Sequence, residues 1–402
     1  MKKKLDQKLI RNILTMRYNP EEKPLIFPAQ INDFKLNNRD GDGRITEKLL
    51  KNSLHRQIGS NNSFVVSLSG GIDSSLSLAL LRDSFPDSDI FAICGVFEGS
   101  FDESLYAKKI AKKFDTKFKI LKMGSIFSNM PEIISTTQKP KWNTYTHIIS
   151  REAKTFGDVL ITGDGSDEIF GGYTFRYSKF NNLTSSKDNW KKKTINYLDC
   201  HNRDWIPDQK KMFGTHIKFD WNDIYNYLKP YFKNDLKSLQ QVMLADFNGK
   251  LLHDFLPSNH VISKKYDISI ISPFINNDVS KFGLSLPLSQ KFDRNTGKGK
   301  LVLRTISDRY GISYIDEKRG FSPSLWFDWK KSGKKICEKY ILSNDCYVFK
   351  KNLINQDWVL TAFDKVNDDG DIRYLNRLVS ILALEIWYRI FFTNEINSKK
   401  QL

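Results

Sequence analysis

Between residues 63 and 162 the sequence alternates short runs of β-branched and aromatic residues with longer helical stretches, and few folds accept that pattern. The runs at 63–69 (SFVVSLS), 90–97, 118–121 and 158–162 have the length of strands. Helical periodicity fills 74–82, 102–114 and 144–156, with Leu105, Ile110 and Ala111 on one side of the second stretch. Strands separated by helices lie parallel, and a parallel sheet needs helices on both faces. The expected fold is therefore α/β, a parallel sheet covered on both faces. Beyond residue 180 the pattern turns mainly helical, which predicts a helical C-terminal extension. The expected organisation is an N-terminal segment over 1–60, a core over 61–330 and a helical part of the same unit over 331–402. The N-terminal segment reads as a short helix, a proline-containing extended stretch and a helix over about 45–57.

Composition removes several function classes. The longest apolar stretch, 378–392, carries Glu385 and Arg389, so no segment reads as membrane-spanning. The opening MKKKLDQKLI has basic residues but no apolar core behind them. A soluble, cytoplasmic protein with no membrane partner is expected. Cys94, Cys200, Cys337 and Cys346 lie far apart without a CxxC pair, which supports neither a disulfide framework nor a structural zinc site. Lys and Arg number 63 against 46 Asp and Glu, a formal charge of +17. The basic residues are dispersed, so the surplus reads as a solvated surface around phosphate chemistry, and a nucleic-acid partner is not expected.

The run NRDGDGRITEKL at 38–49 has the spacing of a calcium loop through Asp40, Asp42, Gly43 and Ile45. Its twelfth position is Leu49, where a bidentate glutamate is required. A Gly/Asp turn capping the next helix, with Thr46 near the N-cap, is the simpler reading.

Two segments carry chemistry. The first, Ser69-Gly70-Gly71-Ile72-Asp73-Ser74-Ser75, joins a buried strand to a helix. Such a turn aims backbone N–H groups and a helix N-terminus at one spot, which suits phosphate, and the serine hydroxyls offer further donors. Asp73 would repel a bare phosphate, but fits where a magnesium ion bridges it to pyrophosphate oxygens. No GxxxxGK[ST] is present, so this is not a Walker loop. The second segment, Gly163-Asp164-Gly165-Ser166-Asp167-Glu168 continuing to Gly171-Gly172-Tyr173, follows the strand at 158–162. Its three carboxylates repel one another unless a cation or ligand neutralises them. Farther on, the K-x-x-x-R spacing of Lys300 and Arg304 puts both on one helix face. A lysine there can serve a phosphate-displacing site, and a solvated helix charge is the alternative.

The first segment resembles the PP-loop of ATP pyrophosphatases, which cleave ATP to AMP and pyrophosphate. The second resembles the asparagine synthetase signature. Phe101-Asp102-Glu103-Ser104 with Tyr106-Ala107, the stretch 297–304, Lys318 with Gly320-Phe321 and Trp326, and Glu385-Ile386-Trp387-Tyr388-Arg389 follow in that family's order, so the resemblance covers about residues 45–392. It implies an adenine-nucleotide α-hydrolase-like fold, ATP and Mg2+ as cofactors, and an amide formed through an acyl-adenylate. It places Leu68, Ser69, Gly70, Gly71, Asp73, Ser74, Ser75, Thr162 and Gly163 at ATP, and Asp73 and Asp167 at magnesium. Asp164 and Lys300 become the catalytic candidates, the first beside the reacting carbonyl and incoming amine. Thr144 and Glu168 are candidates for substrate contacts. Aspartate with ammonia is the leading substrate pair implied. The alternative is an amide ligase or lactam or macrolactam cyclase acting on a sugar acid, peptide or secondary metabolite. An RNA-modifying PP-loop enzyme would want a CxxC pair or an RNA-binding appendage, and a non-catalytic partner subunit would not need intact Asp73, Asp167 and Lys300.

The sequence departs from the family in two places. Family members with a glutaminase domain carry a catalytic cysteine after the initiator methionine, where this chain has Lys2. Residues 17–34 look like the last remnant of that domain. Nitrogen is therefore expected from free ammonia, a separate glutaminase subunit or another amine. The stretch 260–276 keeps Ser263, Pro273 and Phe274, but has Ser269 and Ile271 where the family has Glu and Arg, and Asn276 where it has Asp. Asp316 replaces the Arg expected before Lys318. A lost guanidinium changes which carboxylate is held, because bidentate pairing has no apolar substitute. The ATP half reads as intact and the acceptor half as altered.

Overall fold

The computed structural model describes residues 5–59, 63–201, 204–315 and 321–402. Lys2, Asp316, Lys318 and Gly320 lie outside the described residues. Five parallel strands form one sheet in the order β3-β2-β1-β4-β5. They are β1 Ser63–Ser67, β2 Asp89–Val96, β3 Lys117–Lys122, β4 Val159–Ile161 and β5 Ser269–Ile271. The first four are the strands the sequence predicts. The fifth falls in the stretch read as substrate pocket, where three residues are too few to show a period. Pairing with β4, Val159 opposite Ser269, is what makes it a strand.

The helices that bear on the site are α1 Gln7–Met16, α2 Arg44–Ile58, α3 Ile72–Ser84, α4 Ser104–Lys113, α5 Ile126–Thr137, α6 Thr146–Ala153 and α7 Ser166–Phe170. Alternation along β1 divides its side chains between two cores. Phe64 and Val66 join Leu54 of α2 and Leu76 and Leu80 of α3. Val65 joins Ile93, Leu160 and, from α6, Ile148, Ile149 and Ala153. Both faces of the sheet are thus covered, as its parallel pairing requires. Each fully buried valine, leucine or phenylalanine stabilises this layering by about 1.5–3 kcal/mol.

The N-terminal residues belong to the same body. Asp6 caps α1 by accepting from Leu9 N–H at 3.0 Å, and Ile10 and Leu14 lie fully buried in the larger core. Ala29 exchanges two hydrogen bonds with the Asn248 amide, at 2.8 and 2.9 Å. The Gly/Asp run starts a helix, and Thr46 lies three residues past its cap. Gly43 is that cap, at φ +76°, and the buried Asp40 carboxylate accepts from Ile45 N–H at 3.2 Å and Thr46 N–H at 2.7 Å. Both Asp40 oxygens are committed to the helix start.

Beyond α7 the chain is mainly helical, ending in the 20-residue helix Ile372–Phe391. Glu385, fully buried in it, accepts from Tyr347 N–H, Val348 N–H and Arg389 Nε. Among the described residues no helix is long and apolar enough to cross a membrane. All four cysteines are buried and unpaired.

Candidate active site

The sheet order reverses between β1 and β4, which are neighbours although β2 and β3 separate them in sequence. A crevice opens at the carboxyl ends of strands at such a reversal. Both segments singled out in the sequence emerge there.

After β1, the turn is held by its own serines. Ser69 N–H donates to Ser74 Oγ at 3.0 Å, Gly71 N–H to Ser69 Oγ at 3.1 Å, and Ser75 Oγ–H to Gly71 O at 2.7 Å. These hydroxyls shape the loop, where the sequence reading made them donors to a ligand. Leu68 N–H donates to Ile93 O at 2.9 Å, tying the start of the turn to β2. Gly70 is pinched: a Cβ there would lie 2.5 Å from Ile315 Cδ1 and 3.0 Å from Tyr106 Cβ. Its N–H donates to Glu103 Oε2 at 3.0 Å, which gives the Phe101–Ser104 stretch a place at the turn.

After β4, Thr162 N–H donates to Ile271 O of β5 at 2.9 Å. Asp164 Oδ2 accepts from Thr162 Oγ1 at 2.9 Å and from Asn259 Nδ2 at 2.7 Å. Ser272 Oγ donates to Asp164 O at 2.7 Å. Burial raises the Asp164 carboxyl above the ordinary carboxylate range, while the Thr162 and Asn259 hydrogen bonds act the other way. Gly165 at φ +87° turns the chain into α7.

The two segments meet at Lys300. Its ammonium is 2.5 Å from each oxygen of Asp73 and 2.5 Å from Asp167 Oδ1. Lys300 is only 5% exposed, so it is no solvated surface charge. Burial pulls its pKa down, but Asp167 and Asp73 outweigh that and hold it above its usual value. The same-face reading of Lys300 and Arg304 needs correction. Lys300 precedes the helix Leu301–Arg309 in a left-handed conformation, φ +57°, which swings its side chain to the carboxylates. Arg304 instead donates to Gly299 O at 2.8 Å and stacks over Tyr314. Gly172 completes the enclosure, since a Cβ there would overlap the Asp167 carboxylate and the Lys300 stem.

Two carboxylates from different loops, converging on one cation beside the N-terminus of α3, have the chemistry to hold a magnesium ion. Among the described residues no group of three or more His, Cys, Asp or Glu is placed to hold a metal.

Glu168 is buried one residue past Asp167 and accepts from Tyr173 OH at 2.6 Å. Burial, reinforced by Asp167, pushes its carboxyl up to about 7. Thr144 is not brought in by any hydrogen bond to this cluster; its carbonyl lies 2.9 Å from His147 Nδ1. Glu103, Asn259 and Ser272 are parts of the arrangement to which the sequence reading assigned no role.

The Asparagine synthase family profile matches residues 46–389. The putative glutamine-hydrolyzing asparagine synthetase 2 of Methanocaldococcus jannaschii is 30% identical over 132 residues, 32% of this chain and 26% of that protein. Glutamine-hydrolyzing asparagine synthetase 1 of Bacillus subtilis is 20% identical over 365 residues, 80% of this chain and 55% of that protein. The chain therefore spans about half or less of these relatives' lengths. Among solved structures, the U34-tRNA thiolase NcsA from Methanococcus maripaludis aligns over 85% of this chain and 80% of its own, at 16% identity and a TM-score of 0.30. A likeness that loose carries no functional weight. The profile, in contrast, takes in all five strands, both loops and Lys300, and the chain belongs to the asparagine synthase family.

Proposed function

We propose that the protein is an ATP-dependent amide ligase, which activates a carboxylate as its adenylate and transfers the acyl group to an amine. The meeting of Asp73, Asp167 and Lys300 at the ends of two adjacent parallel strands carries this reading. The N-terminus of the 13-residue α3, at Ile72 and Asp73, would seat the phosphates. Magnesium held by Asp73 and Asp167 would supply neutralisation of the phosphate oxygens when bound.

In the first step a substrate carboxylate oxygen bonds to the α-phosphorus. The bond from that phosphorus to the bridging oxygen breaks, and pyrophosphate leaves with the electron pair. Lys300, already protonated and buried, offsets the charge gathering there. In the second step the amine nitrogen bonds to the acyl carbon, and AMP leaves with the electrons of the carbon–oxygen bond. Asp164, oriented by Thr162 and Asn259, takes or guides the proton the amine loses.

Aspartate with ammonia, giving asparagine, is the leading substrate pair. Ammonia would come from solution or from a glutaminase. A second reading, a ligase or lactam cyclase for another acid, is favoured by β5. Its last residue, Ile271, whose carbonyl accepts from Thr162 N–H, stands next to the acidic loop where the resemblance calls for an Arg. The test is pyrophosphate release from magnesium-ATP and ammonium across aspartate, glutamate and unrelated acids, with Asp73→Ala as control. Aspartate-dependent release with asparagine as product supports the first reading. ATP bound while aspartate stays inert moves the assignment to the second.

A further inference from the structure

Asp164 uses its two carboxylate oxygens unequally. Oδ2 accepts both from Thr162 Oγ1, at 2.9 Å, and from Asn259 Nδ2, at 2.7 Å. Among the described residues no donor meets Oδ1. The carboxylate is thus held by one oxygen, and the other is left for whatever enters the crevice. Ser272 Oγ, donating to Asp164 O at 2.7 Å, fixes the main chain beneath it.

Asn259 is anchored from the core. It stands on the helix Leu256–Tyr266, which continues directly from a ten-residue π-helix, Asp246–Phe255. Such wide turns are rare and occur mostly at functional sites. At the junction the Lys141 ammonium donates to the Asp254 carboxylate and, at 3.0 Å, to Ser258 Oγ. All three residues are buried, and Ser258 Oγ donates in turn to Asp254 O at 2.6 Å. The residue before Asn259 is therefore locked in place.

The contact with Asp164 also decides which way the amide lies. A carboxylate oxygen takes N–H, so Asn259 turns Nδ2 to Asp164 and keeps its carbonyl oxygen, Oδ1, on the other branch of the planar group. Among the described residues nothing donates to that oxygen, and Asn259 is half-buried. The two open atoms, Asp164 Oδ1 and Asn259 Oδ1, are both acceptors on side chains joined by one hydrogen bond. Another carboxylate would be repelled there. A small nitrogen with two N–H bonds answers both oxygens and keeps its lone pair for attack.

We propose that Asn259 and Asp164 together bind the nitrogen donor, ammonia or a primary amine, through two of its N–H bonds. This rests on the ligase reading and assigns the site of that reaction's second substrate. One N–H donates to Asn259 Oδ1, and its hydrogen stays in the product amide. The nitrogen lone pair bonds to the acyl carbon, and AMP leaves with the carbon–oxygen electron pair. The proton of the second N–H passes to Asp164 Oδ1.

ATP–pyrophosphate exchange, which needs no amine, is measured on the full chain across aspartate, glutamate and unrelated acids. Amide formation is then followed with the acid that supports exchange. Asn259→Leu keeps the side chain's size and removes both polar atoms. In it KM for free ammonia rises about tenfold relative to KM for the acid, and the ratio of amide formation to exchange falls. Should the leucine variant not fold, Asn259→Ala gives the same comparison. Dimethylamine, with a single N–H, forms amide at least about tenfold more slowly than ammonia in the wild type. Unchanged ammonia kinetics in a folded variant, an equal rise in KM for the acid, or dimethylamine used as well as ammonia overturns this proposal while exchange persists. Absence of exchange with every acid overturns the ligase reading, and this proposal with it.

Discussion

Gly163, just past β4, stands so close to Asp73, just past β1, that a Cβ on it would lie 2.7 Å from the Asp73 Cβ. The same atom would lie 3.4 Å from Ser74 N. The two loops are spaced by the absence of one side chain. Gly163→Ala forces them apart, and a shift of a few tenths of an ångström matters where reacting atoms must align. The expected cost is about 1–3 kcal/mol in stability by chemical denaturation. Pyrophosphate release is expected to fall about 100-fold. Near-normal turnover in a folded Gly163→Ala protein would show that the loops do not form one site.

Lys300→Met keeps much of the side chain's length and removes its charge. Turnover is expected to fall about 10²–10³-fold, the usual scale for losing one charge-stabilising group. A second readout is independent of activity. With the ammonium gone, Asp73 and Asp167 face each other without their cation, so calorimetry should show tighter magnesium binding to the nucleotide-free variant than to the wild type. Unchanged magnesium affinity would argue that the two carboxylates do not share an ion.

Glu168 should leave a signature in stability against pH. Its carboxyl is raised from 4.5 to about 7 by burial and then by Asp167. The folded chain therefore holds a proton that the unfolded chain releases, and stability falls as pH rises from about 4.5 to 7. Glu168→Gln removes that slope. Above pH 7 the variant should be more stable than the wild type, on the order of 1–3 kcal/mol, and the difference should close toward pH 4.5. Parallel denaturation curves at all pH values would contradict the assignment.

Lys291 offers an opposite case. It is 1% exposed, among the described residues donates to Leu284 O alone, at 2.8 Å, and burial pushes it down from 10.5 to about 7. The unfolded chain binds this proton more readily, so the destabilisation is full below pH 7 and fades as pH approaches 10.5. Lys291→Met should stabilise the protein by about 1–3 kcal/mol at neutral pH, with the gain shrinking at alkaline pH. Thermal melts at several pH values check it, and a destabilised variant at neutral pH would count against it.

How much of this was legible in the sequence follows from what each residue had to signal. β1, β2 and β4 stood out because buried parallel strands are mainly apolar, and the exposed edge strand β3, KFKILK, by its short β-rich run between two helical stretches. The loops after β1 and β4 stood out because glycines and clustered carboxylates at strand ends are unfavourable without a ligand. Strand β5 escaped notice through its three-residue length, and α5 because Pro131 sits inside it. Asn259 is an ordinary amide on a helix, and only the fold brings it to Asp164, 95 residues earlier. Lys300 was found, yet its K-x-x-x-R spacing concealed the left-handed backbone that aims it. Thr144 was chosen for its place before α6, and three-dimensional packing turned its hydrogen bonding inward to His147.

The most direct test of the central claim is the fate of carboxylate oxygen during ATP turnover. The acid that supports turnover is supplied with isotopically labelled carboxylate oxygens, and the nucleotide product is isolated. Attack on the α-phosphorus predicts AMP and pyrophosphate, with label carried into the AMP phosphate. Formation of ADP and phosphate, or AMP free of label, would contradict activation through an acyl-adenylate at Asp73, Asp167 and Lys300.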